Sequence, residues 1–152
     1  MPAFRYRMQN ILDIKSKLET QQKMEYAKAN AALLEEQSKL EHLLIRRSDY
    51  EDKLKDEQSG TLHLMEINFL RNAILSMDSM INEQMRRVSM AQNRVEIERA
   101  KLDEAMKERK TYEKLRERAF EEFKEEILYK EGKETDELVA YTYSNTDEES
   151  GE

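Results

Sequence analysis

Ile67-Asn68-Phe69-Leu70-Arg71-Asn72-Ala73-Ile74-Leu75-Ser76-Met77-Asp78-Ser79-Met80-Ile81 is the stretch that decides the fold. Its apolar residues recur in alternating steps of three and four. That is the seam of a coiled coil, where positions a and d of each heptad face a partner helix. The phase continues unbroken. Ile67, Ile74, Ile81, Val88, Val95, Leu102, Arg109, Arg116 and Phe123 fall at a. Leu70, Met77, Gln84, Ala91, Glu98, Ala105, Tyr112, Ala119 and Glu126 fall at d. Thirteen of these 18 positions are apolar, whereas the overall hydrophobic fraction of 38% would give about seven.

Upstream the pattern is less regular. Phe4, Ile11 and Leu18, with Ile14 between them, suggest one phase. Tyr26, Leu33, Leu40 and Leu54 at a, with Ala29, Leu43 and Tyr50 at d, suggest a second. Eight residues separate Leu18 from Tyr26, which predicts a stutter that locally unwinds the supercoil.

Punctuation is sparse. Pro2 can open a helix, because its missing N–H would be unpaired there anyway. Ser59-Gly60 is a stop signal, with Gly60 suited to a left-handed C′ position and Thr61 to capping the next helix. Gly132 is the next stop. The expected fold is all-α: two long helices forming an antiparallel coiled-coil hairpin over 1–135, with helix one about 3–58, a turn about 59–61 and helix two about 61–131. At 1.5 Å per residue these helices measure roughly 85 and 105 Å. On this register Tyr50 meets Ile67, Leu43 meets Ile74, Ala29 meets Val88 and Phe4 lies near Tyr112. Phe120, Phe123, Ile127 and Leu128 then overhang, beyond the reach of helix one.

Composition agrees. Ala, Glu, Lys, Leu and Arg make up 78 of 152 residues, which is the balance of a long helix. Three Gly and one Pro are too few for a β-rich fold. No Cys is present, which excludes a disulfide framework, a thiolate metal site and a thiol nucleophile. No apolar run approaches the ~18 residues of a membrane span, and the first ten residues lack the pattern of a secretory signal. An intracellular protein is the expectation.

The net charge of −7 is uneven. Residues 136–152 hold six acids and no base, and are predicted to form an acidic, largely disordered tail. The first 28 residues carry an excess of three bases. The doublets Arg46-Arg47 and Arg86-Arg87 do not form the basic stripe that a phosphate backbone requires, so nucleic acid is not an expected partner.

Chemistry is hard to find. No Gly-rich phosphate loop occurs. His63 and Glu66 are three apart, but no second carboxylate–histidine pair completes a metal site. The sequence predicts no catalytic residue, cofactor, metal or small-molecule substrate. Apolar residues off the seam are more informative. Phe69, Ala73, Ser76 and Met80 share one face beside it, and nine Met suit an adaptable binding surface.

The ends carry longer motifs. Phe4-Arg5-Tyr6-Arg7-Met8-Gln9-Asn10-Ile11-Leu12-Asp13 resembles the F-x-Y-x-L-Q-x-[VI]-L-[DE] opening of the FliJ family of flagellar type III export proteins, with Met8 in place of Leu. Lys110-Thr111-Tyr112-Glu113-Lys114-Leu115-Arg116-Glu117-Arg118 is similar to its K-x-x-E-x-L-x-x-R segment. Glu134-Thr135-Asp136-Glu137-Leu138-Val139-Ala140 is similar to its L-D-E-x-A ending, with Thr135 replacing Leu.

The resemblance implies a non-catalytic stalk of the export apparatus, like the central stalk of rotary ATP synthases. It would be cytoplasmic and peripheral to the inner face of the cell membrane at the flagellar base. The implied partners are the export ATPase FliI, the export gate protein FlhA and flagellar substrate chaperones. The open end would bind the ATPase through Phe4, Arg5, Tyr6, Arg7, Ile11, Arg109, Tyr112, Arg116 and Arg118. Tyr50, Phe69, Ala73 and Met80 would meet the gate. The alternative is a generic structural coiled coil, or a type III secretion chaperone or scaffold acting as a dimer.

Overall fold

The computed structural model describes residues 3–59 and 63–149. Two helices account for nearly all of them: α1, Gln9–Ser59, and α2, Leu64–Glu149. They pack against each other as an antiparallel hairpin. The proposed turn residues Gly60 and Thr61, and Pro2, lie outside the described residues.

Two compact units divide the chain: an inner unit, 18–105, and a terminal unit of 1–17 with 106–152. In the inner unit Gln22 bonds Glu98, Glu36 bonds Gln84, and Arg47 bonds Asp78. In the terminal unit Tyr6 Oη donates to the Tyr112 carbonyl at 3.3 Å, and Lys15 Nζ donates to Glu108 at 2.8 Å. Within each unit partner numbers fall as α1 numbers rise, which is antiparallel pairing.

Burial confirms the α2 seam. Ile67, Leu70, Met77, Ile81, Gln84, Val95 and Glu98 are buried, and of the 18 seam positions only Arg116 and Glu126 are exposed. The seam of α1 differs from expectation. Its covered positions run Leu12, Lys15, Glu19, Gln22, Tyr26, Ala29, Leu33, Glu36, Leu40, Leu43, Arg47, Tyr50, Leu54 and Glu57, an unbroken heptad with no stutter. The phase drawn through Phe4, Ile11, Ile14 and Leu18 is therefore not the seam, and Ile14 is 55% exposed. Four polar residues, Lys15, Glu19, Gln22 and Glu36, occupy core-facing positions and mask the repeat. They find partners across the seam or along their own helix, so their burial is compensated.

The same polar layers set the register. Gln84 lies against Glu36, where the expected register put Ile81. Glu98 lies against Gln22, where it put Val95. Polar seam groups seek each other, because either left alone would carry an uncompensated desolvation cost. The result is a register about one turn removed from that read off apolar residues alone.

Both expected outer boundaries also move. Residues 3–8 are not helical, and α1 begins at Gln9, whose N–H bonds the Tyr6 carbonyl at 3.1 Å. This non-helical segment, with a turn at residues 7–8, carries Phe4 past Tyr112 to Phe120 and Phe123, at centroid distances of 5.1 and 5.4 Å. Of the phenylalanines expected to overhang, Phe123 is half-buried, whereas Phe120 touches Phe4 and stays 40% exposed, and Tyr6 takes the place beside Tyr112.

At the other end α2 runs through Gly132 to Glu149, where the sequence reading stops helix two near 131. Among the described residues no glycine has positive φ, so Gly132 does not form the left-handed cap. One interior glycine costs a helix only about 1 kcal/mol. Thr135, Thr142 and Thr146 bond back to carbonyls four residues earlier. Residues 128–148 are all exposed.

Candidate protein-docking sites

The terminal unit presents the first site. Residues 3–8 fold as a strap on α2, pinned by the Phe4 ring contacts and the Tyr6 hydroxyl. A groove of about 420 Å³ opens beside the strap, lined by Phe4, Arg5, Tyr6, Arg7, Leu115, Ala119 and Phe123, with Glu122 and Glu126 on its rim. The structure thus brings together Phe4, Arg5, Tyr6 and Arg7, with Tyr112 bonded to Tyr6. Arg5, Arg7, Arg116 and Arg118 are exposed and make no ion pair among the described residues. Arg109 is half-buried and held to Glu113 at 2.8 Å, so its charge is engaged within the chain. Ile11 is exposed and does not line the groove. Glu122 and Glu126 were not expected here. Only the strap's reach, which has no local sequence signal, brings them to the site.

Lys15 anchors the strap's helix to α2. Its hydrogen bond to Glu108 raises the ammonium pKa above the ordinary lysine value.

The inner unit presents the second site. A groove of about 540 Å³ is lined by Tyr50, Lys53, Met65, Glu66, Phe69 and Leu70, among others. Phe69 is 66% exposed there. Met80 lines a further groove of about 350 Å³ with Leu43, Gln84 and Arg87. Heptad position places Phe69, Ala73 and Met80 on one flank of the seam, with Ala73 half-buried. Phe69, Ala73 and Met80 therefore share a flank, and the seam residue Tyr50 shares a groove with Phe69.

The opposite flank was missed. Leu34 and Leu44 on α1, and Leu75 and Met85 on α2, are exposed there. Leu75 lines a groove of about 550 Å³ with Leu54 and Ile74. These residues occupy b and e positions of the heptad phases already legible through Leu33, Leu40, Ile74 and Ile81, so the signal was present in the sequence.

Between the flanks the carboxylates of Glu36 and Glu98 titrate below their ordinary range, first because the Gln84 and Gln22 amides donate to them. Arg47 is raised by its hydrogen bond to Asp78, with Glu51 adding to it. These are structural groups, each engaged across or along the seam.

Among the described residues no group of three or more His, Asp or Glu side chains could hold a metal. None of the helices is long and apolar enough to cross a membrane. Paired helices with a thin seam and exposed grooves define a helical-hairpin protein. The chain matches the family described as Flagellar FliJ protein over residues 4–148, and it belongs to that family. The family is non-catalytic and serves as a helical-hairpin component of flagellar export, so the chain is not an enzyme. No curated protein and no solved structure matches it.

Proposed function

We propose that the chain is the coupling stalk of the flagellar type III export apparatus. It binds the export ATPase FliI through the strap groove of the terminal unit. It binds the gate protein FlhA through the Tyr50–Phe69 groove of the inner unit, and assists the handling of substrate chaperones. The work is done in the cytoplasm, with the membrane reached only through partners.

The observation that carries this reading is the strap itself. Residues 3–8 leave the helix and present Arg5 and Arg7 beside an aromatic cluster formed by Phe4, Phe120 and Phe123. Unpaired guanidinium groups next to apolar rings suit acidic, partly apolar loops on a partner. Membership of the export family supplies the partner class. The exposed Phe69 surface supports a second, separate contact, because an aromatic ring left that open has no folding role there.

Pairing of the seam within one chain supports a monomeric stalk over the dimeric scaffold. The test is direct binding of the full chain to the purified ATPase and, separately, to the gate's cytoplasmic domain. Binding to both is expected. Binding to neither, with a concentration-independent dimer in sedimentation, would select the scaffold.

A further inference from the structure

Beyond the strap, α2 continues for more than twenty residues with nothing packed on it. Phe123, Ile127, Leu138 and Tyr141 lie on one face, since their spacings of 4, 11 and 3 residues are close to whole turns. Phe123 belongs to the seam, where Phe4 covers it. Leu138, 66% exposed, and Tyr141 carry the same face onward uncovered. The apolar face that packs against the strap at Phe123 thus recurs at Leu138 and Tyr141, after three turns that carry Lys130, Glu131 and Glu134 on or beside it.

The charge of this extension is one-sided. Residues 121–149 hold eleven acids and three bases, a net −8, whereas residues 1–120 hold 23 bases and 21 acids. A second copy laid along the stripe would set −8 against −8, which selects against self-pairing. The chain also shows what α2 accepts nearby. The segment packed on it in the terminal unit carries Arg5, Arg7, Lys15 and Lys17 against Asp13 alone, with Lys15 on Glu108 at 2.8 Å.

We propose that the α2 extension is a docking helix for a cationic amphipathic helix of another protein, which continues along the face that α1 leaves. The stripe supplies the apolar contact. Glu131, Glu134 and Glu137, on or beside that face, supply the charge that selects a basic occupant. An exposed single helix of this length is only marginally stable without a partner. Docking therefore orders it as well as occupying it. This inference does not depend on which partner the strap groove takes.

The test uses the full chain and three synthetic peptides. One is a lysine–leucine helix with its leucines at heptad a and d positions. One has the same composition scrambled to remove the stripe. One has the stripe with glutamate in place of lysine. Fluorescence anisotropy should show the first binding at least about tenfold more tightly than the scrambled peptide, and the glutamate peptide not binding. Leu138→Asp with Tyr141→Asp should abolish that preference while helicity by circular dichroism is kept. Hydrogen exchange should show new protection over 132–148 on binding. Equal affinity for the scrambled peptide would reduce the effect to plain charge attraction and overturn the proposal. So would a preference that survives the double substitution, or self-association of the chain through the extension.

Discussion

The Gln22 amide donates to the carboxylate of Glu98 and, at 3.2 Å, to the Glu98 backbone carbonyl. Gln84 does the same to Glu36, reaching its carbonyl at 2.9 Å. The two layers are related by a local pseudo-twofold, with Ala29 and Ala91 midway between them on the two helices. Glutamine maps on glutamine and glutamate on glutamate. A slide of either helix breaks both layers together and leaves Glu98, only 2% exposed, without its donor across the seam. These layers therefore fix register, while Ile67, Leu70, Met77 and Ile81 supply the apolar burial.

Removing one donor should show this. Gln22→Leu takes away the donor that reaches Glu98 across the seam and leaves the carboxylate to Arg94 and Lys101 of its own helix, so thermal melting should fall by about 5 °C. Gln22→Leu with Glu98→Leu replaces the layer by an apolar one and should restore or raise the melting temperature. The double variant should also populate other registers or oligomers, which sedimentation would detect. An unchanged melting temperature in the single variant would remove the register role.

The carboxylates give a pH signature. Glu36 and Glu98 have folded-state pKa values below the ordinary carboxylate value of 4.5. Their contribution is present above that value and is lost as pH falls through the depressed folded values. Lys15 runs the other way. Its pKa is raised above 10.5, so its contribution is present below that pH and lost as pH rises through the raised value. Melting temperature against pH should therefore fall at both extremes. Gln84→Leu with Gln22→Leu should flatten the acid limb specifically.

The proposed gate surface can be separated from the core. Phe69→Ala with Met80→Ala should weaken binding of the gate domain by about tenfold or more and leave ATPase binding unchanged. Both side chains are exposed, so helicity should be kept. Loss of folding would show that they serve the core instead.

The strap can be tested by charge. Arg5→Glu with Arg7→Glu should reduce ATPase binding by about tenfold or more without changing the melting temperature, because neither arginine is buried or ion-paired. Higher salt should weaken the wild-type interaction as well.

The course of α2 was legible because its seam is written in Ile, Leu, Met and Val from Ile67 to Leu102. The early course of α1 was not, because Lys15, Glu19, Gln22 and Glu36 occupy core-facing positions and resemble solvent-facing residues until their partners across the seam are known. Among the candidate site residues, Tyr50 and Phe69, grouped through the family resemblance, line one groove. The strap groove was found only in part. Phe4 reaches Phe120 and Phe123 through a non-helical segment, and no local pattern distinguishes residues 3–8 from the first turns of a helix. Arg109 looked available to a partner, but Glu113 one turn on engages it. The extension of α2 was hidden by Gly132, whose modest helix cost is read more strongly in sequence than it acts in the chain.

As proposed, the chain couples to the export ATPase without chemistry of its own. ATP turnover by the cognate hexameric ATPase, measured while the full chain is titrated in, tests this coupling most directly. Turnover should rise and saturate, and the chain carrying Arg5→Glu and Arg7→Glu should raise it less. Turnover unchanged at concentrations where the wild-type chain is monomeric and folded would contradict the coupling.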